Sequence, residues 1–181
     1  MNGVEKDRVD EHVEQAVREM PFIDAEVEGA VSRVCKLTRY LDKSMGETLS
    51  AYDMTEGEYR VLIKIRLSGP EHHMSPGDLS RDLMVSTGAM TNRLDRMEEA
   101  GLVVRKRDPD DRRGVLVELT DVGRKVLGEA LGEQAAKEID LLSVLNPREQ
   151  ITLNRLLRKL MRSFEQKMGP PPRRRPEPDA I

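Results

Sequence analysis

Apolar positions along the chain follow two periods, and the switch between them marks out the elements. From Ile23 they recur as Ile23, Val27, Ala30, Val34, Leu37, Leu41 and Met45, steps of three and four that lay a stripe along a long helix. That helix is expected to end near 49–52. Residues 1–20 are polar and helix-compatible up to Pro21, and part of them is expected to form a short extra helix. Thr55-Glu56-Gly57-Glu58 has capping-box spacing, so a second helix starts there, and Ser68-Gly69-Pro70 stops it. Ser75-Pro76-Gly77-Asp78 combines a hydroxyl cap, a proline at the first helical position and an acid in the first turn, which predicts a short helix over 76–83. Ser86 caps the next helix, which runs to Glu99 or Ala100 and closes on a left-handed Gly101.

After Gly101 the period drops to two. Residues 102–107 and 115–119 flank Asp108-Pro109-Asp110-Asp111-Arg112-Arg113-Gly114, a β-hairpin with a charged loop. Thr120 then caps a helix with Val122, Val126, Leu127, Ala130, Leu131, Ile139 and Leu142 as its apolar positions. Asn146-Pro147-Arg148-Glu149 caps the last helix, whose face is Leu153, Leu156, Leu157, Leu160 and Phe164. The order helix, helix, tight turn, helix, hairpin is that of a winged helix-turn-helix. The expected fold is mainly α with a small β-hairpin wing. Its parts are an acidic extension (1–22), a helical dimerisation module (23–54 and 121–168), a winged lobe (55–120) and a disordered basic tail (169–181). The apolar stripes of the first long helix and the last helix exceed what the small lobe can cover, which favours a homodimer. Burial of the two stripes against each other within one monomer is the alternative.

Composition narrows the function classes. Of 181 residues 38% are hydrophobic but only 3% aromatic, with no Trp, so the core must be aliphatic. A single cysteine, Cys35, excludes an internal disulfide and suits a reducing compartment. No apolar run approaches the roughly 20 residues of a membrane span, and the acidic N-terminus has no signal-peptide core. The expected location is therefore the cytoplasm. The net charge of -3 conceals an asymmetry: residues 1–30 carry a net -6 and residues 155–181 a net +5. Charge has to be judged element by element.

On the helix opened by Ser86, turning about 100° per residue, Met90, Leu94 and Met97 share one side and must point inward. The opposite side of its first half carries Gly88, Ala89, Thr91 and Asn92, with Thr87 and Arg93 on the flanks and Arg96 one turn on. Small and hydrogen-bonding groups of this kind suit the floor of a DNA major groove; a merely solvated polar face is the alternative. Arg105, Lys106, Arg107, Arg112 and Arg113 surround a tip that also holds Asp108, Asp110 and Asp111. An arginine reaching a narrow minor groove, braced by a carboxylate, fits that tip. Arg113 is the candidate probe and Asp111 its brace, with Ser86, Arg105, Arg107 and Arg112 as further candidate DNA contacts, against a charged turn whose ions only pair with each other. Ser75 and the amide end of its helix are candidates for a phosphate anchor.

Asn92-Arg93-Leu94-Asp95-Arg96-Met97-Glu98-Glu99-Ala100-Gly101-Leu102-Val103, followed by Asp110-Asp111-Arg112-Arg113-Gly114-Val115-Leu116-Val117-Glu118-Leu119-Thr120, closely resembles the MarR (multiple-antibiotic-resistance regulator) family. The D-x-R wing motif of that family maps to Asp111 and Arg113. The resemblance implies a homodimer on a pseudo-palindromic operator, usually a repressor, relieved by small and often phenolic ligands. It places a ligand pocket near Arg33, Leu37, Met54, Tyr59 and Arg60, where a small aromatic or carboxylate ligand would sit; structural salt bridging is the competing role for the arginines. The N-terminal extension is similar to that of the urate-responsive branch, whose pocket tryptophan has no counterpart here.

The remaining features point less far. Cys35 reads as a small helix residue rather than a redox switch, having no resolving partner. His72-His73 falls short of the three or four ligands of a zinc site, and no cofactor is expected. Arg173-Arg174-Arg175 can touch phosphates without sequence preference or serve as a solubilising tail. No phosphate loop, nucleophile elbow or H-E-x-x-H stands in the chain, so an enzyme is not expected. A helical protein-interaction module and a small-molecule binding protein without DNA remain as rivals.

Overall fold

The computed structural model describes residues 5–69, 72–109, 111 and 114–169, and they divide into two compact units after Glu47. The first unit holds α1 (Arg8–Glu19) and most of α2 (Ala25–Ala51). Asp7 caps α1 by accepting from the amides of Val9 and Asp10, and the Asp7 amide in turn donates to the Asp10 carboxylate. Val9 and Ala16 are buried, and Gly29 of α2 leaves the room: a Cβ there would stand 2.9 Å from the Arg33 guanidinium and 3.8 Å from Val13. Arg33 reaches across to Asp7 (2.9 Å) and Asp10 (2.7 Å), and its hydrogen bonds hold the Asp7 carboxyl below its usual range.

Of the two roles weighed for Arg33, this geometry shows salt bridging: its guanidinium is engaged in seating α1. Arg33→Ala is expected to loosen α1 and leave the second unit intact. Hydrogen exchange should show faster amides in 8–19 with unchanged protection in α3 to α6; unchanged α1 amides would overturn that role. The stripe read along α2 is found largely in solvent: Val27, Val34, Leu37 and Leu41 are all exposed.

The second unit begins inside the last turns of α2 and continues with α3 (Glu56–Arg66), β1 (His73–Met74), α4 (Pro76–Leu83), α5 (Thr87–Glu99), β2 (Val103–Arg107), β3 (Val115–Leu119), α6 (Asp121–Leu142) and α7 (Pro147–Met168). Its core is aliphatic, as the composition requires. Val61, Leu62 and Ile65 of α3, Leu79 of α4, Met90, Leu94 and Met97 of α5, and Val117 of β3 are fully buried. The sheet is antiparallel in the order β1-β3-β2, with Val103 opposite Leu119 at its base and Arg107 opposite Val115 toward its tip. β1 is the one strand the hydrophobic period does not announce. In it His73 pairs with Glu118.

Thr120 closes the base of the hairpin. Its hydroxyl donates to the Gly101 carbonyl (2.6 Å) and accepts from the Gly123 amide (2.9 Å), and its own amide donates to the Leu102 carbonyl at 3.1 Å. This seats α6 backbone to backbone on the chain that opens β2. Farther along α6, the Thr48 hydroxyl donates to Gln134 (3.0 Å) and accepts from Lys137 (2.7 Å), which satisfies a buried hydroxyl near the end of α2 and a buried amide oxygen of α6. In α7 no residue is buried; Leu156, Leu157, Leu160 and Phe164 all face solvent.

Candidate nucleic-acid interface

Two serines set the approach to the interface. Ser75 caps α4, accepting from the Asp78 amide (3.1 Å) and donating its proton to the Asp78 carboxylate (2.7 Å). Its hydroxyl is therefore turned inward to the cap, beside a negative charge, which argues against the phosphate role read for it. After α4 the chain reverses at Met84, whose φ of 54° is left-handed. Ser86 then caps α5 by accepting from the Ala89 amide at 3.2 Å, which leaves the Ser86 proton to donate elsewhere.

The inner side of α5 is locked by Met90, Leu94 and Met97, all at 0% exposure. That fixes which groups the helix presents. Thr87, Gly88, Thr91, Asn92 and Arg96 are exposed, a run of small and hydrogen-bonding residues on the N-terminal half. The Thr91 hydroxyl donates to the Thr87 carbonyl (2.9 Å). Arg96 is loosely paired with Glu58 at 3.8 Å and keeps about half its side chain in solvent. Arg93, read as flanking this face, lies on the inner side instead. It is 7% exposed, with its guanidinium against Gly57 of α3, where a Cβ would stand 2.6 Å from it. That finding removes Arg93 from the presented set.

In the wing, the Asp108 amide donates to the Gly114 carbonyl (3.0 Å) and the Gly114 amide to the Asp111 carbonyl (2.8 Å), which folds the tip back on itself. Gly114 leaves the space: a Cβ would meet that of Asp108 at 2.8 Å. Asp111 and Arg107 are exposed. Arg112 and Arg113 lie outside the described residues, as do Asp110 and the basic tail. Lys106 pairs with Glu118 across the hairpin (2.6 Å). Arg105 points back to α5, where its guanidinium meets Asp95 (2.7 Å) and Glu98 (2.7 Å). The Arg105 backbone amide also donates to Glu98 at 2.9 Å, and that bond, followed by the guanidinium's, holds the Glu98 carboxyl below its ordinary pKa. Burial works against the charge on Arg105, but the two carboxylates outweigh it and raise its pKa. Sequence reasoning counted this cation toward the groove because its acceptors stand on another element.

Of the residues read as a ligand pocket, Arg33 and Leu37 belong to the first unit and Met54, Tyr59 and Arg60 to the second. Met54 is buried in the core. Tyr59 and Arg60 line a crevice of about 430 Å³ with Ile63, Lys64, Met74 and Asp82, spanned by the Lys64–Asp82 ion pair (2.8 Å). Burial, then the nearby Glu138 carboxylate, raises the Tyr59 pKa. Cys35 is exposed, and among the described residues no cluster of His, Cys, Asp and Glu is placed to hold a metal. Nor is any described helix long and apolar enough to cross a membrane.

Comparison with known proteins follows the same elements. The model of the MarR family matches residues 54–115, from the start of the lobe to the first residue of β3. The HTH-type transcriptional regulator PecS of Dickeya dadantii is 30% identical over 149 residues, covering 82% of this chain and 90% of that protein. The multiple antibiotic resistance protein MarR of Escherichia coli is 35% identical over 123 residues, covering 66% of this chain and 82% of its own. Among solved structures, YusO from Bacillus subtilis aligns with a TM-score of 0.68 over 78% of this chain and 99% of that one; at 22% identity this is a likeness of fold. A mutant of MarR from E. coli complexed with operator DNA aligns at a TM-score of 0.54 and 29% identity, over 80% and 96% of the two chains. On its fold and on relatives matched over most of their length, this chain belongs to the MarR family of transcriptional regulators.

Proposed function

We propose that the protein is a homodimeric regulator that binds an inverted-repeat operator and represses transcription from it, with α5 in the major groove and the wing in the adjacent minor groove. The observation that carries the reading is the presented half of α5: small and hydrogen-bonding side chains held outward by a fully buried opposite side. A polar, low-bulk surface lets a helix approach base edges closely. Thr87, Thr91, Asn92 and Arg96 are the base-reading candidates, with Ser86 at the entry. Arg107, Arg112 and Arg113 are the candidates from the wing, with Asp111 as the proposed brace of Arg113. The exposed apolar side chains of α7 and of the α2 stripe support self-association, which would set two such helices about one DNA turn, roughly 34 Å, apart. The E. coli MarR mutant solved with operator DNA supports the choice of partner.

Release by a small aromatic or carboxylate ligand belongs to the same proposal, with Tyr59 and Arg60 in the α3–α4 crevice as its candidate contacts. The reading includes no catalytic step, in keeping with relatives that are transcriptional regulators. It places the protein in the cytoplasm with its DNA.

The test is selection of bound sequences from a random duplex pool, alongside the mass of the protein in solution. Enrichment of an inverted repeat by a dimer is the expected result; no enrichment at moderate salt overturns the reading. Within the selected site, Asn92→Ala is expected to relax preference at one base pair of each half-site by about 1–3 kcal/mol while sparing affinity for unrelated duplexes. A uniform loss on all sequences would make Asn92 a backbone contact instead.

A further inference from the structure

We infer that Arg105 is a positioning residue of the DNA interface: it clasps the wing to the recognition helix and leaves contact with DNA to its neighbours. The inference rests on the DNA-binding reading above, and it reassigns a cation that charge counting alone would send to the groove.

The geometry is that of a strut. Arg105 sits at the middle of β2, opposite Val117 in the register, so its amide is directed either to β3 or away from it. The amide goes to Glu98 of α5 (2.9 Å), on the free edge of β2. The guanidinium follows it, meeting Glu98 through one terminal nitrogen and Asp95 through the other, each at 2.7 Å. The second nitrogen also lies 3.4 Å from the Thr91 carbonyl. Asp95 and Glu98 are neighbours one turn apart on α5, and Thr91 stands one turn before Asp95. One planar fork thus spans two turns of the helix that presents Thr91 and Asn92. A lysine has no comparable fork.

This arrangement is poorly suited to holding phosphate. Only a quarter of the Arg105 side chain is in solvent. To reach a phosphate it would have to leave two carboxylates, which would then face the DNA backbone with their charge uncompensated. Arg107 lies two residues on, on the same side of the strand by its alternation, and it is exposed. The inner arginine braces the wing; the outer one is available to the nucleic acid.

The two roles predict opposite signs for one variant. Asp95→Asn with Glu98→Gln removes two negative charges from the vicinity of the DNA and releases Arg105. If Arg105 were a DNA contact held in check, operator binding would tighten. The clasp predicts instead that binding weakens about tenfold, the size of one charge-assisted hydrogen bond. Hydroxyl-radical protection of the minor groove under the wing should fade while guanine methylation protection in the major groove persists. Arg105→Lys should fall between wild type and the double variant. Tighter binding by the double variant overturns the proposal. So does an Arg105→Ala protein that keeps the minor-groove footprint but loses about one unit of salt slope, the mark of a lost phosphate contact. Amide exchange reads the clasp without DNA: the Arg105 amide should exchange faster in Glu98→Ala, which removes its acceptor, and an unchanged rate sinks the proposal. Failure of the DNA-binding reading would show separately, as wild-type protein that selects no duplex.

Discussion

Gly123→Ala is expected to destabilise the second unit by about 3 kcal/mol, although glycine-to-alanine changes inside helices usually stabilise. Two effects of opposite sign meet at this position. Helix propensity favours alanine by roughly 1 kcal/mol. Against it stands the backbone: a Cβ on Gly123 would overlap the Leu102 carbonyl oxygen and lie 2.9 Å from its carbon and 3.2 Å from its Cα. The obstacle is main chain held by the Thr120 amide, and no flexible side-chain end can swing away. Overpacking costs typically 1–3 kcal/mol and occasionally more; an overlap with fixed backbone belongs above that range, at about 4 kcal/mol, so the steric term wins by about 3 kcal/mol. For a chain of this length about 3 kcal/mol corresponds to a fall in Tm of roughly 6–12 °C. Gly128, on the same helix, has no described atom within 4 Å of where a Cβ would stand, and Gly128→Ala should gain up to about 1 kcal/mol. Thermal and urea unfolding of the two variants should move in opposite directions. A Gly123→Ala protein as stable as wild type would show that α6 does not dock backbone to backbone.

The second large effect concerns α7. Replacing Leu160 and Phe164 together by aspartate is expected to yield a monomer and to weaken operator binding by roughly 10²–10⁴-fold, the range lost when two linked binding events become one. Both side chains are about half exposed, and α7 has no buried residue at all. Charge placed there costs the isolated fold little, so the change acts on association rather than folding. Sedimentation gives the mass, and binding to a whole operator against a half-site gives the linkage. A monomer that still bound the whole operator as tightly as wild type would remove the dimer from the mechanism. A persistent dimer would place its interface elsewhere.

Much of this architecture is legible in the sequence because capping chemistry is local. Ser75 with Pro76, Ser86, Thr120 and Asn146 each begin a helix where a side-chain oxygen meets amides two or three residues on. The hairpin is legible from its period and the charged residues between its arms. β1 is not, because two residues carry no period and pair only through β3. The charged side chains are the harder part. Arg33, Arg93 and Arg105 each look available from their own element, and each is engaged by another: α1, the Gly57 side of α3, and α5 respectively. A helical wheel gives the direction of a side chain, but not what another segment places there. Asn92, Thr87 and Thr91 can be read as outward because the buried side of α5 alone decides their direction.

The closure at Thr120 has a consequence for how such a protein can change over evolutionary time. Because Val103 and Leu119 are paired and Thr120 ties the chain to Gly101 and Leu102, the polypeptide leaves and re-enters the lobe at nearly one point. Residues can therefore be added or deleted between β2 and β3 without altering where α6 begins, as loops generally permit. Insertion and deletion there would, on the proposed reading, retune the wing's reach toward DNA while the core, and with it the spacing of any paired lobes, stays as it was.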